Sequence, residues 1–144
     1  MVCTSHQEAL ILSLSDDLMT MNCQVHTSYD PDSEIFFKVY SGDVHLKDIF
    51  SSWEKVIKSD SIRSDNKKIV IDYSAANILF PPEGLPAIAD FYNNHDAFFG
   101  ESKIAMVMIS PRQVVFPHLM ELEDINFSIK VFFTVNAAIR WLLE

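Results

Sequence analysis

The carboxylate with the most suggestive placement is Asp72. It closes the run Lys68-Ile-Val-Ile-Asp72, with Ser74 two residues further on. Ligands in open α/β sheets bind outside the carboxyl ends of the strands. Asp72 and Ser74 are therefore candidate binding groups, and so is Ser110, which follows a second run, Ile104-Ala-Met-Val-Met-Ile109. A structural reading stands beside each of them and is the stronger. A strand-end Asp accepts backbone N–H bonds from the loop after it, and Ser110-Pro-Arg-Gln113 has the pattern of a capping box at a helix start. An enzyme using Asp72 with Ser74 or Ser110 is the least supported reading, because no nucleophile–base pair is visible.

Other chemistries are poorly supplied. The chain has 3 glycines, Gly42, Gly84 and Gly100, too few and too scattered for either common phosphate-binding loop. There is no Gly-x-Ser-x-Gly elbow. The 5 histidines (His6, His26, His45, His95, His118) lie far apart in sequence. His95-Asp96 is an acid–base pair only on paper, since adjacent helical residues point in different directions, and it reads as a solvated helix end. Cys3 and Cys23 form no Cys-x-x-Cys and have no zinc-finger spacing to a His pair. No metal and no cofactor are expected.

Composition sets the class. The chain has 144 residues, 49% of them hydrophobic and 22% charged, which fits one domain with a true core. The net charge is -9, and the first 40 residues carry six acids (8, 16, 17, 30, 32 and 34) against the single base Lys38. A phosphate backbone would be repelled, so nucleic acid is not an expected partner. No basic stretch precedes the apolar run Ala9-Leu-Ile-Leu12, and no run approaches the ~20 residues of a membrane span. A cytoplasmic setting is the simplest expectation.

These residues must be positioned by a strand–helix alternation. Residues 22–28 alternate as a strand, Tyr29-Asp-Pro-Asp-Ser33 has turn chemistry, and residues 34–40 return to make a hairpin. Ser41-Gly42-Asp43 is expected to end that strand. Leu46, Ile49, Phe50, Trp53, Val56 and Ile57 then recur at helical spacing over 46–58. Residues 59–66 read as a loop and 68–73 as a strand buried on both faces. Pro81-Pro82 suits the start of a helix carrying Leu85, Ile88, Ala89 and Tyr92. A strand over 104–109, a helix from Ser110 to about Glu121, a strand over 128–134 and a last helix capped by Asn136 complete the order. The adjacent pairs Phe36-Phe37 and Phe132-Phe133 fall in strands and must point to opposite faces. Residues 1–21 read as an N-terminal extension containing an edge-strand candidate at Leu10, Leu12 and Leu14. Residues 22–144 read as a single α/β domain with a mixed, mostly parallel sheet of about five strands.

That order resembles the STAS superfamily, and within it the SpoIIAA-like branch of small bacterial proteins. The pieces that carry the resemblance are Phe37-Lys-Val-Tyr-Ser-Gly-Asp-Val44, Ile69-Val-Ile-Asp72, Lys103-Ile-Ala-Met-Val-Met-Ile109, Ile129-Lys-Val-Phe132 and Ala137-Ala-Ile-Arg-Trp141-Leu-Leu. The resemblance implies a non-enzymatic module that binds a protein partner. Some members are switched by phosphorylation of a Ser in an Asp-Ser-Ser-Gly-Leu motif at the start of the second helix. Pro81-Pro-Glu-Gly-Leu85 stands there in this chain, so Gly84 and Leu85 match while Glu83 replaces the phosphorylated Ser. Glu83 and Gly84 join Asp72, Ser74 and Ser110 as candidate partner- or ligand-binding residues. Some similar folds carry lipid, so a small apolar ligand is the alternative. Self-association as a homodimer is also expected, from the surplus of Phe at strand positions and from the extension, which either covers a sheet edge or pairs with another chain.

Overall fold

The computed structural model describes residues 22–59, 67–109 and 128–144. The expected N-terminal extension, the 60–66 loop, Ser110 and the helix after it lie outside the described residues.

Strand β1 (Gln24–Asp30) and strand β2 (Ile35–Val44) form the hairpin. Between them Asp30 organises the turn: its carboxylate accepts from the Asp32 amide at 3.3 Å and the Ser33 hydroxyl at 2.7 Å. Its carbonyl accepts from the Glu34 amide at 2.7 Å. Helix α1 (Leu46–Ser59) follows β2, with the Asp48 carboxylate accepting from the His45 amide at 2.8 Å. An acid in the third helical position thus satisfies a backbone donor at the helix start. Strand β3 (Lys68–Ile78) leads through a single 3₁₀ turn (Pro82–Gly84) into helix α2 (Leu85–Asn94) and the short helix α3 (Asp96–Phe99). Strand β4 (Lys103–Val107), strand β5 (Ser128–Phe132) and helix α4 (Val135–Leu142) complete the described chain.

The 5 strands form one sheet in the order β1-β2-β3-β4-β5, antiparallel between β1 and β2 and parallel elsewhere. Helices α1, α2 and α3 cover one face. Trp53, Tyr92, Phe98 and Phe99 from these helices meet Phe36, Tyr40, Ile69, Ile71, Tyr73 and Ile104 from the strands. Helix α4 packs on the other face, placing Ala138 and Leu142 against Ile35, Val70, Ala105 and Val107. With helices on both sides, Ile69, Val70 and Ile71 are each 0% exposed. That burial is why the run is uniformly β-branched rather than alternating.

Several boundaries differ from the sequence expectation, among them the strand expected over 104–109, which ends as β4 at Val107 and leaves Ile109 exposed. Strand β2 does not stop at Ser41-Gly42-Asp43 but runs through them to Val44. Gly42 makes this possible by taking φ 82°, a conformation other residues adopt rarely. Strand β3 likewise runs past Asp72 to Ile78, paired with the lengthened β2. The last helix is capped by Thr134, whose hydroxyl accepts from the Ala137 amide at 3.1 Å, and not by Asn136. β5 consequently ends at Phe132.

Candidate functional site

Two of the candidate groups, Asp72 and Ser74, lie toward the carboxyl edge of the parallel strands. Along β2 and β3 the register steps from Val39↔Asp72 to Ser41↔Ala75, so β3 carries one extra residue there. Asp72 and Ser74 flank this bulge. The Asp72 Oδ1 atom accepts from the Ser74 amide at 2.9 Å and from the Ser74 hydroxyl at 2.7 Å. The carboxylate thus holds the displaced backbone in place, and the hydroxyl proton is already engaged. Asp72 does not close its strand, but it is the last β3 residue in register with β4, opposite Val107. The bulge follows Asp72 directly, and the Asp72–Ser74 bonds hold it in place.

Beside it, the segments that follow β4 and β5 carry exposed apolar side chains. The Met108 amide donates to the Phe132 carbonyl at 3.0 Å, which sets the two strand ends side by side. Just beyond the strands Ile109 is 57% and Phe133 68% exposed, Phe133 following directly on β5 and Ile109 two residues past the end of β4. Both are among the exposed large apolar side chains of the described residues. Phe132 points the other way, its ring 5.7 Å from that of Trp141. The strand pair Phe132-Phe133 is thus divided between core and surface, as alternation requires.

Glu83 and Gly84 lie elsewhere. The 75–78 extension of β3 separates them from Asp72 and Ser74, and Leu79, 40% exposed, leads toward them. Glu83 is exposed in the 3₁₀ turn, and the Gly84 amide donates to the Pro81 carbonyl at 2.9 Å. Gly84 is buried against the start of α1, where an added Cβ would come within 2.9 Å of Leu46 Cδ1. Its lack of a side chain lets α2 start directly over α1. Sequence reasoning therefore named two separate places on the molecule. His95 belongs to neither: its Nδ1 lies 2.8 Å from the Phe91 carbonyl and its ring 4.4 Å from the Phe91 ring.

One polar constellation escaped the sequence reading. Lys38 is 0% exposed, and its Nζ donates to Tyr40 Oη and Ser52 Oγ, both at 2.7 Å. The Ser52 hydroxyl donates to the Ile49 carbonyl at 3.1 Å, so the Tyr40 hydroxyl, 3.1 Å from Ser52 Oγ, is the donor between those two. Nζ also sits 3.8 Å from the centroid of the Trp53 ring, a cation–π arrangement. Burial holds the neighbouring Tyr73 and Tyr92 phenols well above their ordinary range, so both are neutral hydroxyls. A Lys, a Ser and a Tyr in hydrogen-bond contact have the composition of a proton-transfer site. Their burial beneath Trp53 makes this one a structural tie between β2 and α1. The signal lay in the alternation of β2, where Lys38 occupies a core-facing position between Phe36 and Tyr40.

Against solved structures the architecture is a familiar one. An anti-sigma factor antagonist from Mycobacterium paratuberculosis superposes with a TM-score of 0.58 at 17% identity, over 85% of this chain and 96% of that one. An uncharacterised protein of the DUF3478 family from Shewanella loihica, with a SpoIIAA-like fold, gives a TM-score of 0.52 at 13% identity, over 83% and 93% of the two chains. The fold is SpoIIAA-like. The sequence matches no protein-family model and no curated protein. Among the described residues no group of three or more His, Cys, Asp or Glu is placed to hold a metal ion. No helix among them is long and apolar enough to cross a membrane.

Proposed function

We propose that this SpoIIAA-like chain is a non-enzymatic module that binds a protein partner through the carboxyl edge of its sheet. The observation that carries the reading is the exposure of both Ile109 and Phe133 at the carboxyl ends of neighbouring strands. Asp72 and Ser74 supply polar groups beside them. One solved protein of similar fold is an anti-sigma factor antagonist, which favours a regulatory partner here. The alternative, a carrier of a small apolar ligand, needs room between helices and sheet. That layer instead holds Trp53 within 6.4 Å, centroid to centroid, of the rings of Phe36, Tyr92, Phe98 and Phe99.

Glu83 reads as a favourable acid ahead of α2, where the positive end of the helix dipole lies, and not as the remnant of a switch. A carboxylate supplies one charge that cannot be removed, whereas a phosphoserine carries roughly two and is reversible. Phosphopeptide mapping of protein from its native cells should find no modification near that helix start, and reproducible phosphate on Ser74 would show instead that a switch operates from a different residue.

The partner surface is tested by placing a photo-crosslinking residue at Phe133 in the native cells, with one at Glu54 on the solvent face of α1 as control. A discrete cross-linked partner is expected from position 133 alone. That adduct should disappear with Ile109→Asp while the melting temperature stays the same. Equal labelling from both positions would rule the edge out, and a lipid retained in native mass spectrometry would favour the carrier.

A further inference from the structure

Among the described residues, the other end of the sheet also has an unpaired side. β1 is terminal in the strand order and, among the described residues, pairs with β2 alone. Its register with β2 is unbroken from Gln24↔Ser41 to Asp30↔Ile35, with no bulge to twist the outer edge away. The strand reads Gln24-Val-His-Thr-Ser-Tyr-Asp30, without Pro, Gly, Lys or Arg. These are the usual guards of a free edge. The opposite edge strand, β5, is shorter and carries the exposed Lys130 at its centre.

We propose that β1 is a self-pairing edge, on which a second copy of the chain adds its own β1 antiparallel about a two-fold axis at Thr27. In that register Thr27 faces its equivalent, His26 faces Ser28, Val25 faces Tyr29 and Gln24 faces Asp30. Every pair is compatible, and Val25 with Tyr29 is a β-branched–aromatic pair of the kind that stabilises sheets. Val25, Thr27 and Tyr29 share the sheet face of the main core, opposite Tyr40, Lys38 and Phe36 of β2. Val25 already packs on that core, whereas Tyr29 is 38% exposed. The pairing carries the apolar face into the second copy and covers Tyr29 from both sides of the axis.

Charge selects the antiparallel direction. The hairpin turn holds Asp30, Asp32 and Glu34, while the opposite end of β1, from Asn22 to His26, has no acid. Antiparallel pairing lays each acidic turn beside the uncharged end of the other copy and keeps the two turns ~20 Å apart at about 3.4 Å per residue. That separation exceeds the Debye length of about 8 Å in physiological salt. Parallel pairing would stack the turns on each other. The net charge of -9 on each copy still opposes encounter, so association should tighten as salt is added.

Sedimentation velocity on the full chain tests this. At tens of micromolar the protein should run at twice its 16.5 kDa mass, and more completely at moderate than at low salt. Thr27→Lys brings two ammonium groups together at the axis and should give a monomer that keeps the wild-type circular dichroism spectrum and, without the stabilisation of the dimer, melts somewhat lower. Tyr29→Lys, at another exposed position, should do the same and serves if the first variant folds poorly. A monomeric wild-type protein overturns the proposal, as does a wild-type dimer that both folded variants retain. Either result leaves the partner surface at Ile109 and Phe133 untouched, since that surface lies at the carboxyl ends of other strands.

Discussion

Lys38 is the residue whose environment departs furthest from its chemistry. Removing an ammonium from water costs several kcal/mol even after relaxation. Two hydrogen bonds and the Trp53 face offset that cost, the latter by about 2 kcal/mol when desolvated. The balance yields an asymmetric expectation for substitutions. Lys38→Met keeps the stem and removes the charge, so urea unfolding should show stability unchanged or raised by up to about 4 kcal/mol. Ser52→Ala leaves the amine short of an acceptor and should lose about 1–3 kcal/mol. If Lys38→Met proves the more damaging of the two, the amine is a net source of stability and this accounting is wrong. The Asp72 and Ser74 pair has a more modest role, since its hydrogen bonds span only two residues of the same strand.

At the level of elements, β3 is the centre of the sheet and should carry the largest single packing contribution. Ile71 is 0% exposed, in register with Lys38 of β2 and Met106 of β4. Ile71→Ala should cost about 2–5 kcal/mol through lost burial and the cavity left behind. A melting temperature within error of wild type would show that the strand is peripheral. The start of α4 offers a finer comparison between neighbouring residues. Thr134→Ala removes the hydroxyl that accepts from the Ala137 amide and should cost about 0.5–2 kcal/mol. Asn136→Ala, at an exposed position inside the helix, should be close to neutral. The reverse order would return the cap to Asn136.

Across the whole molecule, the buried phenols tie stability to alkaline pH. Tyr73 and Tyr92 ionise well above the unfolded value of about 10, chiefly because burial penalises the phenolate. Below that value both are neutral in the folded and unfolded chains alike, and their contribution is fully present. Above it the unfolded chain loses protons that the folded chain keeps, so stability falls as pH rises toward the folded values. Tyrosinate absorbance should therefore lag until the fold is lost, then rise together with the loss of circular dichroism. Complete tyrosine titration with the spectrum intact would mean that water reaches the aromatic layer.

Hydrophobic period and turn chemistry made the element order legible. The Trp53 stripe of α1, the β-branched run Ile69-Val-Ile71 and the Asp30-Pro-Asp turn each have one low-energy solution, and each appears in the fold as read. Such signals are local, because they come from neighbours within a few residues along the chain. The features that bear on function came from residues far apart in sequence. Ser41-Gly42-Asp43 looks like a strand end until β3 lies alongside to continue the ladder, and the extra β3 residue that Asp72 and Ser74 flank exists only relative to β2. Lys38 and Ser52 are 14 positions apart and meet because α1 folds back over β2. Phe133 could have been core or surface by its type. The ring of Trp141 against Phe132 settled which member of that pair faces outward. Local propensity determines which elements form, and the packing of one element on another decides which side chains remain available.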